Sequence, residues 1–451
     1  MIEYANKVCL APMVRSGELP IRLLSLKYGC DLLWTPELVD KKILQSTRII
    51  NQELNTIDYI VSNHQQSDKK TVIFRKHPDE TGKLILQLGS SDPQLAVEAA
   101  NKVIDDVDGI DLNCGCPKNF STHSGMGAEL LKTPDKLCCI LINLVEKIGI
   151  PKKKSISCKI RLFNNYYQSK NLIEKILQTG ISNLTIHCRT PIMRNRQDPI
   201  WNFLPKLIPI IENSQVNLII NGNMQNVNDL KNLQMALNDN EKKLSIMIAE
   251  AAEANPSIFN QFPKPQYLII KELFEICQKY YENFSATKFL MLNMIPGKSK
   301  YFQKISQTKN FHQMDNILNE IFQEYEEILQ QQQQQKQQKQ QKQQQQPIKG
   351  LDKIFTIMNR DCQKSNFFNL EQFHNHINKR GEYMTKFFHE WKDKESIMLK
   401  DFDDTPTKRP LVMNDNINIS KRQKKKKKTN NQQLQQQQQT LPLKENPIKV
   451  T

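Results

Sequence analysis

Short runs of β-branched and aliphatic residues alternate along the first 260 residues with longer stretches that carry apolar residues at helical spacing. This alternation is typical of βα units and a parallel sheet. Eight such units match the size and repeat of a (β/α)8 TIM barrel, which we predict over residues 1–262. A doubly wound sheet is the alternative, but its GxGxxG fingerprint is absent from the sequence. The predicted strands are Val8–Ala11, Leu32–Trp34, Leu84–Leu88, Gly109–Asn113, Ile156–Ile160, Leu184–His187, Leu218–Asn221 and Ser245–Ala249.

Helical spacing replaces the strand pattern after Pro263. Apolar positions in Tyr267–Phe284 and Phe311–Leu329 predict two helices and a small α-helical domain over residues 263–329. Lys288 belongs to a lysine-rich stretch in which no Asp or Glu occurs from Asn283 to Met314. Such a stretch is either an ordinary solvated face or a site for RNA phosphates.

The rest of the chain is of low complexity or strongly polar. We predict a Gln-rich linker at 330–346, a helical segment of unknown role at 347–400, and a disordered basic tail at 401–451. The tail contains the basic run Lys421–Lys428, which is typical of a nuclear address or a nonspecific RNA-binding arm. We therefore expect the protein in the cytoplasm, the nucleus or both.

The positive net charge of the protein is unevenly distributed along the chain. The 451 residues carry a formal net charge of +16, which favours a polyanionic partner. Residues 330–451, however, hold 24 basic and 12 acidic side chains, whereas residues 1–329 hold 39 and 35. The predicted folded part is therefore almost neutral.

The spacing of the ten cysteines and the hydropathy pattern argue against a secreted, a membrane-spanning and a zinc-binding protein. The chain opens Met-Ile-Glu-Tyr without an apolar signal segment, and no stretch approaches the ~18 uninterrupted apolar residues of a membrane span. The cysteines lack the paired CxxC spacing of a zinc site. We expect a reduced intracellular protein that binds neither a membrane nor a metal.

In a TIM barrel the active site lies at the carboxyl ends of the strands, and this selects the candidate residues. The catalytic candidate is Cys116, with Cys114 as its competitor, on a loop that Gly115 and Pro117 constrain. A thiol with a pKa near ~8.5 is protonated at neutral pH and can act as a general acid. The other residues selected are Ala11, Pro12, Met13, Glu37, Gln87, Asn113, Lys159, Arg161, His187, Asn221, Gly222, Asn223, Ala249 and Glu250.

Each candidate also has a purely structural interpretation. Gln87 is either a ligand-binding amide or a buried amide with internal partners, and His187 is either a phosphate ligand or a core histidine. Lys159 favours a bound anion, because an ammonium that points into a barrel needs a negative partner. With Asn221 and the loop after the eighth strand, His187 would form a phosphate site, which such barrels often place there.

Several of these segments together resemble the tRNA-dihydrouridine synthases, and most closely the eukaryotic branch that acts at position 20 of tRNA. The resemblance is dense over residues 7–262 and weaker through the helical region. The matching segments include Leu10-Ala-Pro-Met-Val-Arg15, Gly115-Cys-Pro-Lys118, Gly125-Met-Gly-Ala128, Cys158-Lys-Ile-Arg161, Asn255-Pro-Ser-Ile-Phe259 and Ala286-Thr-Lys288.

This resemblance implies an FMN-dependent enzyme that uses NADPH or NADH to reduce the 5,6 double bond of a uridine in tRNA. It implies that Cys116 gives a proton to C5 and that Asn113, Arg161 and Lys288 contact the substrate. We further expect a monomer. The resemblance assigns the cofactor to Ala11, Pro12, Met13, Gln87, Lys159, His187, Asn221, Gly222, Asn223, Ala249 and Glu250.

Two alternatives remain open, and a departure from the family pattern motivates the first of them. Glu250 stands where the family usually has an arginine near the flavin phosphate. A tRNA-binding paralogue with impaired catalysis is therefore one alternative. The other is a different flavin-dependent barrel oxidoreductase that acts on a small pyrimidine.

Overall fold

Eight parallel strands close into a barrel in the computed structural model of the protein, which describes residues 2–62, 70–281, 283–295, 297, 299–339 and 378–390. The barrel consists of β1, β2 and β7–β12, and the pairing of β2 with β7 closes it. All eight predicted strands are present with ends shifted by at most one residue, so the TIM-barrel prediction is confirmed. The strands described are β1 (Val8–Leu10), β2 (Leu32–Trp34), β3 (Leu38–Val39), β4 (Thr47–Asn51), β5 (Thr56–Ser62), β6 (Lys70–Lys76), β7 (Leu84–Gly89), β8 (Gly109–Cys114), β9 (Ser155–Arg161), β10 (Asn183–His187), β11 (Asn217–Asn221) and β12 (Ser245–Ile248).

Helices follow the strands and cover the outside of the barrel. Their apolar faces meet the outward side chains of the strands, while inward residues such as Trp34, Ile219 and Met247 fill the interior. The α-helices are α1 (Leu19–Lys27), α2 (Asp40–Gln45), α3 (Pro93–Val103), α4 (Asn119–Thr122), α5 (Pro134–Leu144), α6 (Ile150–Lys152), α7 (Tyr166–Leu177), α8 (Leu204–Glu212), α9 (Asn228–Leu237), α10 (Glu250–Ala254), α11 (Gln266–Tyr280), α12 (Phe284–Met294), α13 (Lys300–Gln307), α14 (Phe311–Lys339) and α15 (378–390).

A three-stranded antiparallel sheet, β4-β5-β6, interrupts the barrel between β2 and β7, and the sequence analysis missed it. Arg48 of β4 and Tyr59 of β5 both contact the carboxylate of Asp106, at 2.7 and 2.5 Å, which fastens the sheet beside α3. Its strands contain Ile49, Ile57, Ile60 and Val72, a β-branched content that signals the sheet in retrospect.

The helical region differs from its prediction in two places. The predicted helix Tyr267–Phe284 is two helices, because the chain is extended at Tyr281 and Asn283 caps α12 by accepting hydrogen bonds from the Ser285 and Ala286 amides. The predicted linker at 330–346 is wrong over residues 330–339, where α14 continues to Lys339. Glutamine and lysine are good helix formers, so the tract extends the helix that precedes it. Residues 340–346 lie outside the described residues.

Helix α15 falls within the segment 347–400 and packs against the barrel. Met384 and Phe388 are buried, and the ring of Phe388 stacks on Trp201 with centroids 6.3 Å apart. Arg380 donates to both carboxylate oxygens of the fully buried Asp229, at 2.8 and 2.7 Å, and to the Asn223 carbonyl at 2.9 Å. The remainder of 347–400 and the predicted basic tail at 401–451 lie outside the described residues.

The described residues contain neither a membrane-spanning helix nor a cluster of metal-binding side chains. No helix in that part of the chain is both long and apolar enough to cross a bilayer. No three His, Cys, Asp or Glu side chains there come together as a metal-binding group.

Replacing Arg380 by alanine should destabilise the protein, because Asp229 then keeps a buried charge without its guanidinium partner. We expect a loss of about 3 kcal/mol in the free energy of unfolding, measured by urea denaturation. The matched control is Lys386→Ala, an exposed residue on the same helix, which should change that free energy by less than about 0.5 kcal/mol. Equal effects of the two substitutions would contradict the role of the ion pair.

Candidate active site

A continuous chain of hydrogen bonds crosses the barrel mouth from strand to strand. The buried carboxylate of Asp111 accepts from Gln87 Nε2 at 2.8 Å and from Ser157 Oγ at 2.7 Å. Gln87 Oε1 in turn accepts from Asn113 Nδ2 at 3.0 Å. Both ends of the Gln87 amide thus have internal partners, while its second N–H and second lone pair remain available to a ligand.

The loop that carries Cys116 is fastened to this chain. Asn113 Oδ1 accepts hydrogen bonds from the backbone amides of Gly115 and Cys116, both at 3.0 Å. The Cys116 carbonyl accepts from the Ala128 amide at 3.0 Å. Cys114 is fully buried on β8, whereas the Cys116 side chain is partly accessible. The structure therefore favours Cys116 over Cys114 as the thiol that can meet a ligand.

Glu37, which follows β2, lies beside Cys116. Ser121 Oγ donates to Glu37 Oε1 at 2.7 Å, and the Cys116 thiol lies within hydrogen-bonding reach of the same carboxyl group. Burial first, and then the negative charge of Glu37, raise the pKa of the Cys116 thiol to about 11. Burial also raises the pKa of Glu37. The thiol is thus protonated throughout the physiological pH range.

Two cationic side chains of β9 point into the same region. Burial, with repulsion from Arg161, lowers the pKa of Lys159 to about 7, and Asp111 only partly opposes this. Within the described part of the chain, the Lys159 ammonium has no hydrogen bond or ion pair. Arg161 is nearly buried and donates through one nitrogen to the Thr190 carbonyl at 2.9 Å. Its remaining donors are suited to a bound carbonyl or anion.

His187 ends β10 beside Arg189, which the sequence analysis did not select. Burial, reinforced by Lys159, Arg161 and Arg189, lowers the pKa of His187 well below its ordinary value, so the imidazole is neutral. Arg189 approaches His187 Nε2 at 3.3 Å and donates to the carbonyls of Gln197 and Asn195 at 2.8 and 2.7 Å. Arg189 lies in the loop after β10, and its position beside His187 depends on how that loop folds over Asn195 and Gln197.

The turn after β11 has two successive residues in the positive-φ region. Gly222 and Asn223 both have positive φ, +119° and +59°. A turn of this kind can direct successive N–H groups toward an anion. Asn221 holds the turn in place by donating to the Met247 carbonyl of β12 at 2.8 Å.

The neighbouring loop after β12 contains the two other candidates for this end of the barrel. Ala249 precedes α10 and Glu250 is its first residue. The Glu250 carboxylate accepts a hydrogen bond from Asn195 Nδ2 of the loop after β10. Glu250, which stands where the family pattern has an arginine, therefore has a hydrogen-bond partner at the barrel rim.

The first barrel loop also reaches this mouth. Ala11 is buried and donates its amide to the Ile248 carbonyl at 2.9 Å, while Pro12 and Met13 are half-buried. Arg15, with φ of +75°, stacks its guanidinium on Phe289 of α12 at 3.9 Å. This contact brings the helical region against the loop that follows β1.

The predicted substrate residue Lys288 is not brought together with the barrel-mouth side chains. Its ammonium donates to the carbonyls of Ser306 and Thr308, at 3.2 and 2.7 Å, and so joins α12 to the end of α13. Lys300 pairs with Glu324 at 2.7 Å, and Lys304 pairs with Glu320. Helix α14 thus neutralises part of the lysine-rich stretch that the sequence left open as an RNA site.

Comparison with known proteins supplies the class of this site. The family model described as dihydrouridine synthase (Dus) matches residues 9–359. The chain is 42% identical over 328 residues to the tRNA-dihydrouridine(20) synthase [NAD(P)+] of Saccharomyces cerevisiae, with 71% of this chain and 85% of that protein covered. It is 43% identical over 315 residues to the protein of the same name from Schizosaccharomyces pombe, with 68% and 64% covered. A human tRNA-dihydrouridine(20a/20b) synthase [NAD(P)+]-like protein is 30% identical over 253 residues, with 56% and 70% covered.

Gly127→Ala should disrupt the Cys116 loop. A methyl group there would lie 2.6 Å from the Cys116 carbonyl oxygen and 2.4 Å from Ser121 Oγ, at a residue whose φ is +59°. We expect a loss of at least about 2 kcal/mol in the free energy of unfolding, from strain and overpacking together. Gly82→Ala is the control, because its φ is +83° but no atom lies within 4 Å of the added methyl, so backbone strain alone should cost about 1 kcal/mol.

Proposed function

Because this chain belongs to the dihydrouridine synthase family, we propose that it is a tRNA-dihydrouridine(20) synthase. It reduces the 5,6 double bond of a uridine in tRNA to dihydrouridine, with NADPH or NADH as the reductant. The observation that carries this proposal is that Cys116 lies at the same end of the barrel as the cationic side chains of β9. An accessible, protonated thiol there faces a region with unpaired positive charge.

The residues at the barrel mouth fit FMN, a flavin with an anionic phosphate. Lys159 has no anionic partner in direct contact among the described residues, and a bound anion would supply one. The turn Asn221–Asn223, with neutral His187 beside it, suits the phosphate group. Gln87 retains hydrogen-bonding capacity for the polar edge of the ring, and Ala11, Pro12 and Met13 offer a mostly apolar wall.

When bound, FMN supplies the hydride for C6 of the uracil ring, and NADPH or NADH restores it. The protein must then provide a proton for C5 and hold the base close to the ring system. Cys116 serves as the acid, since its thiol keeps its proton at neutral pH. Arg161 and the free N–H of Asn113 hold the uracil carbonyl groups, which fixes the geometry that hydride transfer needs.

Access to a base in folded tRNA requires that the nucleotide leave its stack, at a cost of a few kcal/mol. Contacts to the tRNA body offset this cost, and we assign them to the helical region α11–α14. The stacking of Phe289 of α12 on Arg15 of the first barrel loop supports this assignment. We assign the protein a monomeric state, in which one barrel and one helical region serve one tRNA.

The tRNA-binding paralogue with impaired catalysis is a second candidate, and it depends on Glu250. An acid at the flavin phosphate would oppose binding, but the Asn195 amide holds the Glu250 carboxylate. Arg189 binds the Asn195 carbonyl and lies beside His187, so a cation remains near this end of the barrel. The synthase is therefore the better-supported function.

FMN affinity should depend on pH through Lys159. In the free protein this ammonium loses its proton near pH 7, and a bound anion favours the protonated form. Affinity should then fall as pH rises from 7 to 9, by at most about tenfold per pH unit. Quenching of flavin fluorescence on binding to protein stripped of flavin measures it.

Lys159→Met should bind FMN more weakly than wild type and lose this pH dependence. Lys154→Met is the matched control, since Lys154 precedes the same strand at its opposite end and donates to the Val107 carbonyl at 2.5 Å. The control should keep the wild-type profile. A wild-type profile in Lys159→Met would remove this residue from the cofactor site.

Cys116→Ala should keep its flavin but form dihydrouridine at least about 100-fold more slowly, because the general acid is lost. Mass spectrometry of tRNA nucleosides after reaction with unmodified tRNA measures the rate. Cys114→Ala, which changes only the buried neighbour, should stay within a few-fold of wild type. Normal turnover by Cys116→Ala would refute the acid assignment, and faster reduction of free uridine than of tRNA would favour the small-pyrimidine oxidoreductase.

A further inference from the structure

Burial of the Cys116 side chain favours the thiol, whereas the cations around it favour the thiolate. The positive charges of Lys118, Lys159 and Arg161 all interact with its sulfur. Cations beside a cysteine stabilise the thiolate, and this is how proteins make nucleophilic cysteines. A residue that has to donate a proton needs the opposite effect.

Glu37 is the group that opposes these cations. Glu37 is 8% exposed, and Ser121 Oγ donates a hydrogen bond to its Oε1 at 2.7 Å. Its carboxyl group lies close enough to Cys116 to raise the pKa of the thiol. The second carboxyl oxygen, Oε2, is buried and has no hydrogen-bond partner in the described part of the chain. The carboxyl group thus keeps an unused acceptor on the side of the molecule that carries the Cys116 loop.

Two glycines, which lack side chains, leave room for the carboxyl group of Glu37 beside the Cys116 loop. A methyl group on Gly89 would lie 2.7 Å from Glu37 Oε1. A methyl group on Gly127 would lie 2.4 Å from Ser121 Oγ and 3.2 Å from Cys116 Cβ. Side chains at either position would displace the carboxyl, hydroxyl and thiol groups from one another.

We propose that Glu37 is a positioning residue that opposes ionisation of the Cys116 thiol and fixes its place beside the substrate. This inference rests on the proposed role of Cys116 as the acid. In the reaction the S–H bond breaks as the new C–H bond at C5 forms, which leaves a thiolate next to a carboxylate. Repulsion between these two negative charges drives the uptake of one proton from water, which restores the thiol without any change in its oxidation state.

The test is the rate at which iodoacetamide alkylates Cys116 in the flavin-loaded enzyme, without tRNA, between pH 6 and 9.5. Only the thiolate reacts, so the rate reports the thiolate fraction directly. Fragment-ion mass spectrometry separates Cys116 from buried Cys114 in one peptide, and the exposed Cys139 provides the internal standard.

Glu37→Gln should raise the alkylation rate of Cys116 at pH 8 by about tenfold, which corresponds to one unit in the pKa of the thiol. Ser121→Ala retains the carboxylate and should give no such increase. Glu129→Gln removes a carboxylate that pairs with Lys132 nearby in the chain and should leave the rate unchanged. In single-turnover reduction of tRNA, the loss of rate at high pH should begin about one pH unit lower in Glu37→Gln than in wild type.

An unchanged alkylation rate in the folded, flavin-loaded Glu37→Gln protein would overturn the proposal, as would an equal acceleration in Ser121→Ala. If Glu37→Gln does not fold, Glu37→Asp keeps the charge and should retain slow alkylation, whereas fast alkylation in that variant would overturn the proposal. The alkylation result is independent of turnover. A failure of Cys116→Ala to lose activity would therefore count against the proposed acid and not against the effect of Glu37 on the thiol.

Discussion

The buried carboxylate of Asp111 is the interaction on which the geometry of the barrel mouth depends. It fixes the orientation of Gln87, which orients Asn113, which in turn holds the backbone of the Cys116 loop. Burial raises the pKa of Asp111 to about 6, and the donors Gln87 and Ser157 oppose that shift. Because each member of this chain has its hydrogen-bond partners, a rotation of one side chain would leave others unsatisfied, which makes the arrangement rigid.

Positive and negative side chains at the barrel mouth have opposite effects on the titratable groups beside them. Burial lowers the pKa values of Lys159, Arg161 and His187, and repulsion from neighbouring cations adds to this effect, so the region favours an anion. At the Cys116 thiol, burial and the Glu37 carboxylate act in the opposite direction and raise the pKa. The barrel mouth therefore combines a cation-rich region with a thiol that stays protonated at neutral pH.

Helices α12 and α15, which lie outside the barrel, contact loops at its rim. Arg15 stacks on Phe289 of α12 at the loop after β1. Arg380 of α15 binds Asp229 and the carbonyl of Asn223, within the turn assigned to the cofactor phosphate. Contacts of the helical region and of α15 thus reach loops of the active-site end, and the stability of those loops depends partly on residues far along the chain.

The alternation of apolar runs determined the strands, and strand number and spacing determined the barrel. Once the barrel was predicted, chemistry at the strand ends selected Cys116, Lys159 and His187, since parallel strands place their carboxyl ends at one edge. The strand and barrel predictions were confirmed because strand periodicity is a local property that the sequence carries directly. The roles of the three selected residues remain predictions.

Only the tertiary structure decided the partners of these residues. The Asp111 carboxylate, the Arg189 guanidinium beside His187 and the Glu37 carboxyl beside Cys116 come from separate strands or loops. The sequence likewise did not reveal that α14 neutralises Lys300 and Lys304, or that α15 returns to the barrel through Arg380. Hydrogen bonds and ion pairs between residues distant in the chain depend on how the elements pack, and one sequence contains no periodic signal for that packing.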